Sequence, residues 1–280
     1  MLKRNLTGLA VALVLSTPVC AFEYEVGGNL GKWEIGDRDE NTYALYGTLY
    51  LQPVNEQAGP RREFAFLAKS SYLKFEFDDL GYGDDTILSG RYFLTGKPNY
   101  FIDAALQAGP IDELVVGGGM YLNATSTLSA ALVKTETVST SWNYTYTPYL
   151  TYSYSDFQVY DINTWIGYSP STKRKDVTLL RGAYRGLFDL GNSTAFLAEA
   201  ELTLGDTRTI QLNGGYYFNR DLGIKGLFSD VDDDGTDYQT YGIQVSGFVQ
   251  PNAEIYATYE EEQYDKSDKK IYRIGGNFRL

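Results

Sequence analysis

The sequence predicts an all-β fold, a closed antiparallel transmembrane β-barrel, on three observations. From residue 22 onward, segment after segment alternates apolar and polar residues with period two, which places one set on each face of a strand. The 280-residue chain is rich in Gly and aromatic residues, with 29 Gly, 25 Tyr and 14 Phe. No stretch after residue 21 reaches the roughly 18 consecutive apolar residues of a membrane-crossing helix, so a bundle of transmembrane helices is excluded.

The first element is an address. Lys3 and Arg4 precede an apolar run from Leu6 to Leu15, and the stretch ends Thr17-Pro18-Val19-Cys20-Ala21. These are the charged, apolar and small-residue parts of a secretory signal peptide, with cleavage expected after Ala21. The apolar run is about half the roughly 20 residues an anchor needs, and bulky Val19 fits poorly as the residue before a lipoprotein cysteine. Residues 1–21 are thus expected to leave, and 22–280 to form one outer-membrane barrel. The mature chain would have no cysteine, and losing Lys3 and Arg4 takes the formal charge from −12 to −14.

Turn signals then mark strands over 22–35, 41–53, 63–77, 85–95, 98–107, 113–123, 126–136, 144–154, 157–168, 174–187, 193–204, 208–219, 221–230, 238–249, 253–262 and 269–280. That is sixteen, or fourteen or twelve if one or two weak hairpins merge. Each strand with its connection averages about 16 residues, which suits roughly 9–11 spanning residues and short turns. The clearest alternation sets Tyr272, Ile274, Gly276, Phe278 and Leu280 against Arg273, Gly275, Asn277 and Arg279. Ile210, Leu212, Gly214, Tyr216 and Phe218 share a face in the same way, as do Leu180, Gly182, Tyr184, Gly186 and Phe188. A soluble sandwich also alternates. Here, however, the apolar face is Tyr, Leu and Gly rather than a Val/Ile core, and tyrosine at strand ends is what a membrane interface selects.

The connections sort into short turns at 124–125, 155–156, 219–220 and 250–252, expected on the periplasmic side, and longer polar loops on the other. The loops are Gly36 to Glu40, Asp78 to Asp84, Glu136 to Trp142, Ser169 to Lys173, Val231 to Asp237 and Asp265 to Asp268. Two connections break the rule: 205–207 is short, and the periplasmic turn 54–62 is long. Lipid leaves no sheet edge unpaired, so the strand ending at Leu280 should close on the one beginning near Phe22. Its alternating apolar face also resembles the C-terminal signal read by the barrel assembly machinery, although that signal more often ends in Phe or Trp.

The stretch Gly59-Pro60-Arg61-Arg62-Glu63-Phe64-Ala65-Phe66-Leu67-Ala68-Lys69-Ser70-Ser71, with Tyr50-Leu51-Gln52-Pro53-Val54 before it and Gly90-Arg91-Tyr92-Phe93 after it, resembles a segment of a family of bacterial putative general porins. The specific likeness covers residues 50–95. It implies an outer-membrane barrel of a Gram-negative bacterium through which small solutes diffuse.

Projecting the alternation puts Glu23, Glu25, Lys74, Glu76, Arg91, Asp103, Glu113, Asp161, Arg181, Arg185, Glu199, Glu201, Lys225, Glu254, Arg273 and Arg279 on the inner face. Facing lipid, an Arg or Lys would cost roughly 2–4 kcal/mol at mid-membrane, so these charges predict a wet lumen. Arg181 and Arg185 should face Asp161, Glu199 and Glu201 on flanking strands. Arg273 and Arg279 should face Glu23 and Glu25 across the closing seam. Such opposed charges can filter permeating solutes or simply satisfy one another and stiffen the wall. The net acidity points to a preference for cations.

Asp230, Asp232 and Asp234, followed by Gly235, resemble the start of a calcium loop, but position 12 is Tyr241 rather than a bidentate Glu, which favours a solvated acidic loop. Gly117-Gly118-Gly119 is followed by no helix and reads as a close-packed strand, not a phosphate cradle. The acidity excludes a nucleic-acid partner. The absence of His removes Ser-His-Asp and Cys-His chemistry, and no cofactor motif is present. The expected partners are outer-membrane lipid and lipopolysaccharide, the barrel assembly machinery and small solutes. The competing reading is a non-conducting structural or adhesive barrel, which would need a bulky plug or long binding loops.

Overall fold

The computed structural model describes residues 21–79, 84–109, 111–150, 162–233, 236–264 and 267–280, and of the side chains it leaves out those of 98, 111, 137–150, 162–176, 233 and 236. Among the described residues fourteen strands form one sheet closed on itself. They are β1 (Ala21–Ile35), β2 (Arg38–Asn55), β3 (Tyr72–Asp79), β4 (Asp84–Leu94), β5 (Lys97–Ala108), β6 (Ile111–Tyr121) and β7 (Ser126–Leu150). The second half is β8 (Ile162–Gly191), β9 (Thr194–Leu204), β10 (Arg208–Tyr217), β11 (Leu222–Asp233), β12 (Thr236–Gln250), β13 (Ala253–Tyr264) and β14 (Asp268–Arg279). Each strand pairs antiparallel with its sequence neighbours, and β14 pairs with β1 from Glu25↔Arg279 to Ile35↔Lys269.

The count is fourteen rather than sixteen because one predicted pair of hairpins is a single long hairpin. The expected spans 126–136 and 144–154 fall along β7 as far as Leu150, and 157–168 and 174–187 along β8 from Ile162; 151–161 lie outside the described residues. The expected loops Glu136 to Trp142 and Ser169 to Lys173 are instead paired strand, with Glu136 opposite Asp176 and Trp142 opposite Pro170. Their Ser and Thr read as turn chemistry, yet Thr is a good strand former. β6 covers β7 only to Thr137, and β9 covers β8 only to Leu180. Beyond those points the two strands pair only with each other, as a ribbon rising roughly 40 Å at 3.3 Å per residue. The expected turn at 155–156 lies outside the described residues.

The other expected loops are tighter than predicted. β2 begins at Arg38, leaving Gly36-Asp37 as a two-residue turn with Gly36 at φ +56°, the left-handed conformation a tight hairpin needs. β11 runs on to Asp233, and β12 starts at Thr236.

The outer wall is apolar. Leu30 and Ile274 face each other across the closing seam and are 68 % and 66 % exposed, and Leu45, Leu73, Leu88, Ile102, Leu132, Leu212 and Ile255 continue the belt. An apolar surface of this extent belongs in lipid. Aromatic residues edge it: Tyr24, Tyr92, Tyr100, Phe188 and Phe218 lie near one end, and Tyr43, Tyr241 and Tyr272 near the other.

One segment leaves the wall. Residues 56–71, between β2 and β3, turn into the barrel instead of forming the start of a strand at 63. They hold a 3₁₀ turn (Arg61–Glu63) and one turn of α-helix, α1 (Phe64–Leu67). Gly59, at φ +128°, makes the bend, and Pro60 caps the start. The run Arg-Arg-Glu-Phe-Ala-Phe-Leu-Ala-Lys is rich in helix formers. The spacing of Phe64 and Phe66 mimics strand alternation, which is why period two misreads it.

Candidate functional site

The inner wall and this segment enclose a cavity of about 760 Å³. Its lining includes nine of the residues that alternation placed inside: Glu25, Lys74, Glu76, Arg91, Arg185, Lys225, Glu254, Arg273 and Arg279. Asp103, Glu113, Arg181, Glu199 and Glu201 are joined to the same wall by ion pairs. Asp161 lies outside the described residues.

Glu23 is displaced from its expected place. The N–H groups of Glu23 and Tyr24 both donate to Leu280 O, at 2.8 and 3.0 Å, a bulge that shifts the register between Phe22 and Tyr24. Two residues then oppose one and the alternation changes phase. Phe22 takes the inward position and Glu23 is exposed.

The inner charges are paired almost strand by strand. Arg91 donates to both oxygens of Asp103 at 2.7 and 3.0 Å. Arg181 lies 3.4 Å from Glu113 and 3.2 Å from Glu201. Glu199 faces Arg185 at 3.2 Å and also takes the Lys225 ammonium. Arg273 meets Glu260 at 2.9 Å, and Lys74 meets Glu76. Of the seam pairs expected, Arg279 meets Glu25 at 2.9 Å, but Arg273 turns to Glu260 on β13, the adjacent strand. Half-buried cross-strand pairs of this kind contribute about 0.2–1 kcal/mol each.

The inward segment is tied to strands all round the barrel. Glu63, 2 % exposed, accepts from Arg185 and from the Tyr217 hydroxyl at 2.6 Å. Arg62 meets Glu254 at 3.2 Å. Burial disfavours the Arg62 charge, but the Glu254 and Glu63 carboxylates outweigh it and hold the guanidinium above its ordinary range. Arg279 donates to the Arg61 carbonyl at 2.7 Å and lies between the rings of Phe22 and Phe248. Arg61 reaches Asp221, and Arg220 reaches back to the Gln57 carbonyl at 2.9 Å. The Tyr121 hydroxyl donates to the Phe66 carbonyl at 2.5 Å.

Apolar contacts complete the seal. Phe64 packs with Phe22, Tyr50 and Val54, while Phe66 packs with Phe101, Tyr121, Leu187, Leu197 and Tyr217. A short segment that touches β1, β2, β5, β6, β8, β9, β10, β13 and β14 must lie across the bore. It floors the cavity at the end where Tyr72 begins β3. Phe93 donates its N–H to Ser71 Oγ at 3.0 Å and packs against the Phe66 cluster, so the two stretches that carried the family resemblance meet here.

Sequence reasoning missed Arg62, Glu63, Glu260 and the tyrosines of the wall. For Glu63 the available signal was Pro60 followed by helix formers, with a charged residue beside two phenylalanines. Asp230 and Asp232 lie on β11, where Arg208 sits 3.8 and 3.7 Å from them and Gln239 donates to Asp230 at 3.0 Å. Asp234 lies outside the described residues. Among the described residues no group of three acidic, Cys or His side chains could hold a metal ion. Gly117 to Gly119 lie within β6, where Cβ atoms would collide with β5 and β7.

A closed barrel with an apolar belt outside and a charged, polar cavity inside defines an outer-membrane channel of the porin class. The chain belongs to the family described as "putative general bacterial porin", which matches residues 8–280. Its fold is similar to that of the outer membrane protein Omp33 of Acinetobacter baumannii, at 17 % identity over 93 % of this chain and 99 % of that one, with a TM-score of 0.69. It is also similar to the CymD monoaromatic hydrocarbon channel, at 7 % identity over 92 % and 89 %, with a TM-score of 0.52. No curated protein matches the sequence. Membership places the chain in the outer membrane of a Gram-negative bacterium as a channel for passive diffusion.

Proposed function

We propose that this channel passes small hydrophilic solutes or ions through the polar lumen, and that segment 56–71 sets its bore. The contrast between the two faces of the wall carries the reading: the strands give apolar residues to lipid, and polar residues and paired charges to a cavity of about 760 Å³. The inner charges Glu25, Lys74, Glu76, Arg91, Asp103, Glu113, Arg181, Arg185, Glu199, Glu201, Lys225, Glu254, Arg273 and Arg279 line the solute path. Because nearly every cation there has an anion beside it, the lumen selects by size and polarity more than by the sign of charge. Residues 1–21 direct export and are removed after Ala21. The alternating final strand engages the barrel assembly machinery, and the rim meets lipopolysaccharide.

Liposome swelling with neutral sugars of increasing size tests the function. Swelling should be fast for the smallest solutes and fall steeply with size. No swelling with any solute, from a barrel that migrates in the heat-sensitive folded form on gels, would favour the non-conducting barrel.

A further inference from the structure

On the other side of the floor, toward the short turns, lies a second cavity of about 640 Å³. Its walls are Gly59, Pro60 and Leu67 of the inward segment, Leu187 of β8, Ala195 of β9, and Thr125 before β7. The β8–β9 hairpin forms its lip and closes in two residues, Asn192 and Ser193, at φ +53° and +64°. Two successive left-handed residues make a tight hairpin turn, too short to fold over the mouth. Ala58, which is exposed, stands at the rim on the segment's side.

One apolar layer divides this cavity from the charged one. Phe66 lines the charged cavity and its neighbour Leu67 the second, while Phe66, Leu187, Ala195 and Leu197 belong to a single buried cluster. Leu187 and Ala195 therefore have the second cavity on one side and the Phe66 cluster on the other. Above the layer, the Arg185 guanidinium lies 4.5 Å from the Phe66 centroid and is matched by Glu63 and Glu199. Toward β13 and β14 the segment is instead pinned by charge and backbone. There Arg279 donates to the Arg61 carbonyl at 2.7 Å and Arg62 meets Glu254 at 3.2 Å. Phe64 is packed on Phe22, Tyr50 and Val54. The floor is thus thinnest in bonds where Phe66 meets β8 and β9, with side chain against side chain.

We propose that solutes cross the floor between Phe66 and the wall at Leu187 and Ala195, and that the Phe66 side chain sets the size limit. The Tyr121 hydroxyl holds the Phe66 carbonyl at 2.5 Å, so the ring swings while the backbone stays in place. Its displacement joins the two cavities without breaking an ion pair. An apolar constriction resists water and whatever carries a tight hydration shell, and the one charge beside it is already paired. Width and polarity, rather than the sign of charge, then decide what passes. The route rests on the reading of the lumen as a solute path and names the residue that limits it.

Conductance of single folded barrels tests the route. Phe66→Ala should raise the step several-fold and Phe66→Leu by less. Phe64→Ala, which removes the same ring from the other side of the helical turn, should raise it less than Phe66→Ala does. A second measurement approaches from the far cavity. The only cysteine of the chain, Cys20, lies in the expected leader, so one introduced thiol can be labelled alone. A charged methanethiosulfonate on Ala58→Cys should cut the step by about half or more, and the same label on Thr95→Cys, in the β4–β5 turn, should not. A rise in Phe64→Ala as large as in Phe66→Ala, or an unchanged step after labelling of Ala58→Cys, would overturn the route. Stepwise conductance that ignores both positions sinks the route and leaves the channel. Silence in the parent and in every variant, from barrels that keep the heat-sensitive gel shift, sinks the channel and the route together.

Discussion

Glu63 is buried at the barrel floor with a guanidinium on one oxygen and a phenol on the other, so its removal leaves Arg185 with Glu199 alone. Truncating one partner of a buried pair costs about 3–5 kcal/mol, and here the loss falls on the attachment of segment 56–71 rather than on the wall. Glu63→Ala should therefore keep the folded gel migration but let trypsin cut after Arg61 or Arg62, detected by mass spectrometry of the fragments. Resistance equal to that of the parent would show that Glu63 does not anchor the segment. The lipid face offers a second residue-scale test. Leu30→Arg should lower stability by about 2–4 kcal/mol in guanidinium unfolding from vesicles, while Asn29→Arg, one residue away on the lumen side, should lower it far less. Similar losses would contradict the assignment of faces. Most inner charges were legible because period two is strict while a strand separates lipid from water. Glu23 was not, since a bulge against Leu280 changes the phase and nothing in the local sequence announces it.

At the scale of the element, eleven of the predicted spans match strands to within about three residues. The failures have two causes. In β7 and β8 the wall ends but the pairing goes on, and the Ser- and Thr-rich stretches 136–142 and 169–173 read as turns although they are paired strand. In segment 56–71 the residues that a strand would divide between two faces instead form a turn of helix, and only Pro60 and the helix-forming run hinted at it. Beyond Thr137 and Leu180 the ribbon of β7 and β8 pairs with no other strand among the described residues. Replacing residues 140–172 by a two-residue turn should therefore leave the heat-sensitive gel shift and the unfolding midpoint within a few degrees of the parent. Loss of the folded form would mean that the ribbon is needed to build the barrel.

For the whole molecule, polarity and charge are sorted by location. The average composition is that of a polar, acidic chain, but the apolar residues form one continuous belt and the inner charges pair off. The acidity that pointed to a cation preference thus carries less weight than the lumen, where acids and bases stand in pairs. In the proposed channel, flow turns on the floor built by segment 56–71. The direct test is single-channel conductance in planar bilayers of the parent beside a variant with residues 61–67 replaced by a Gly-Ser linker. Small, stepwise conductance in the parent and several-fold larger steps in the variant are predicted. Equal steps in both would contradict the role given to the segment, and silence in both, from barrels shown to be folded, would contradict the channel itself.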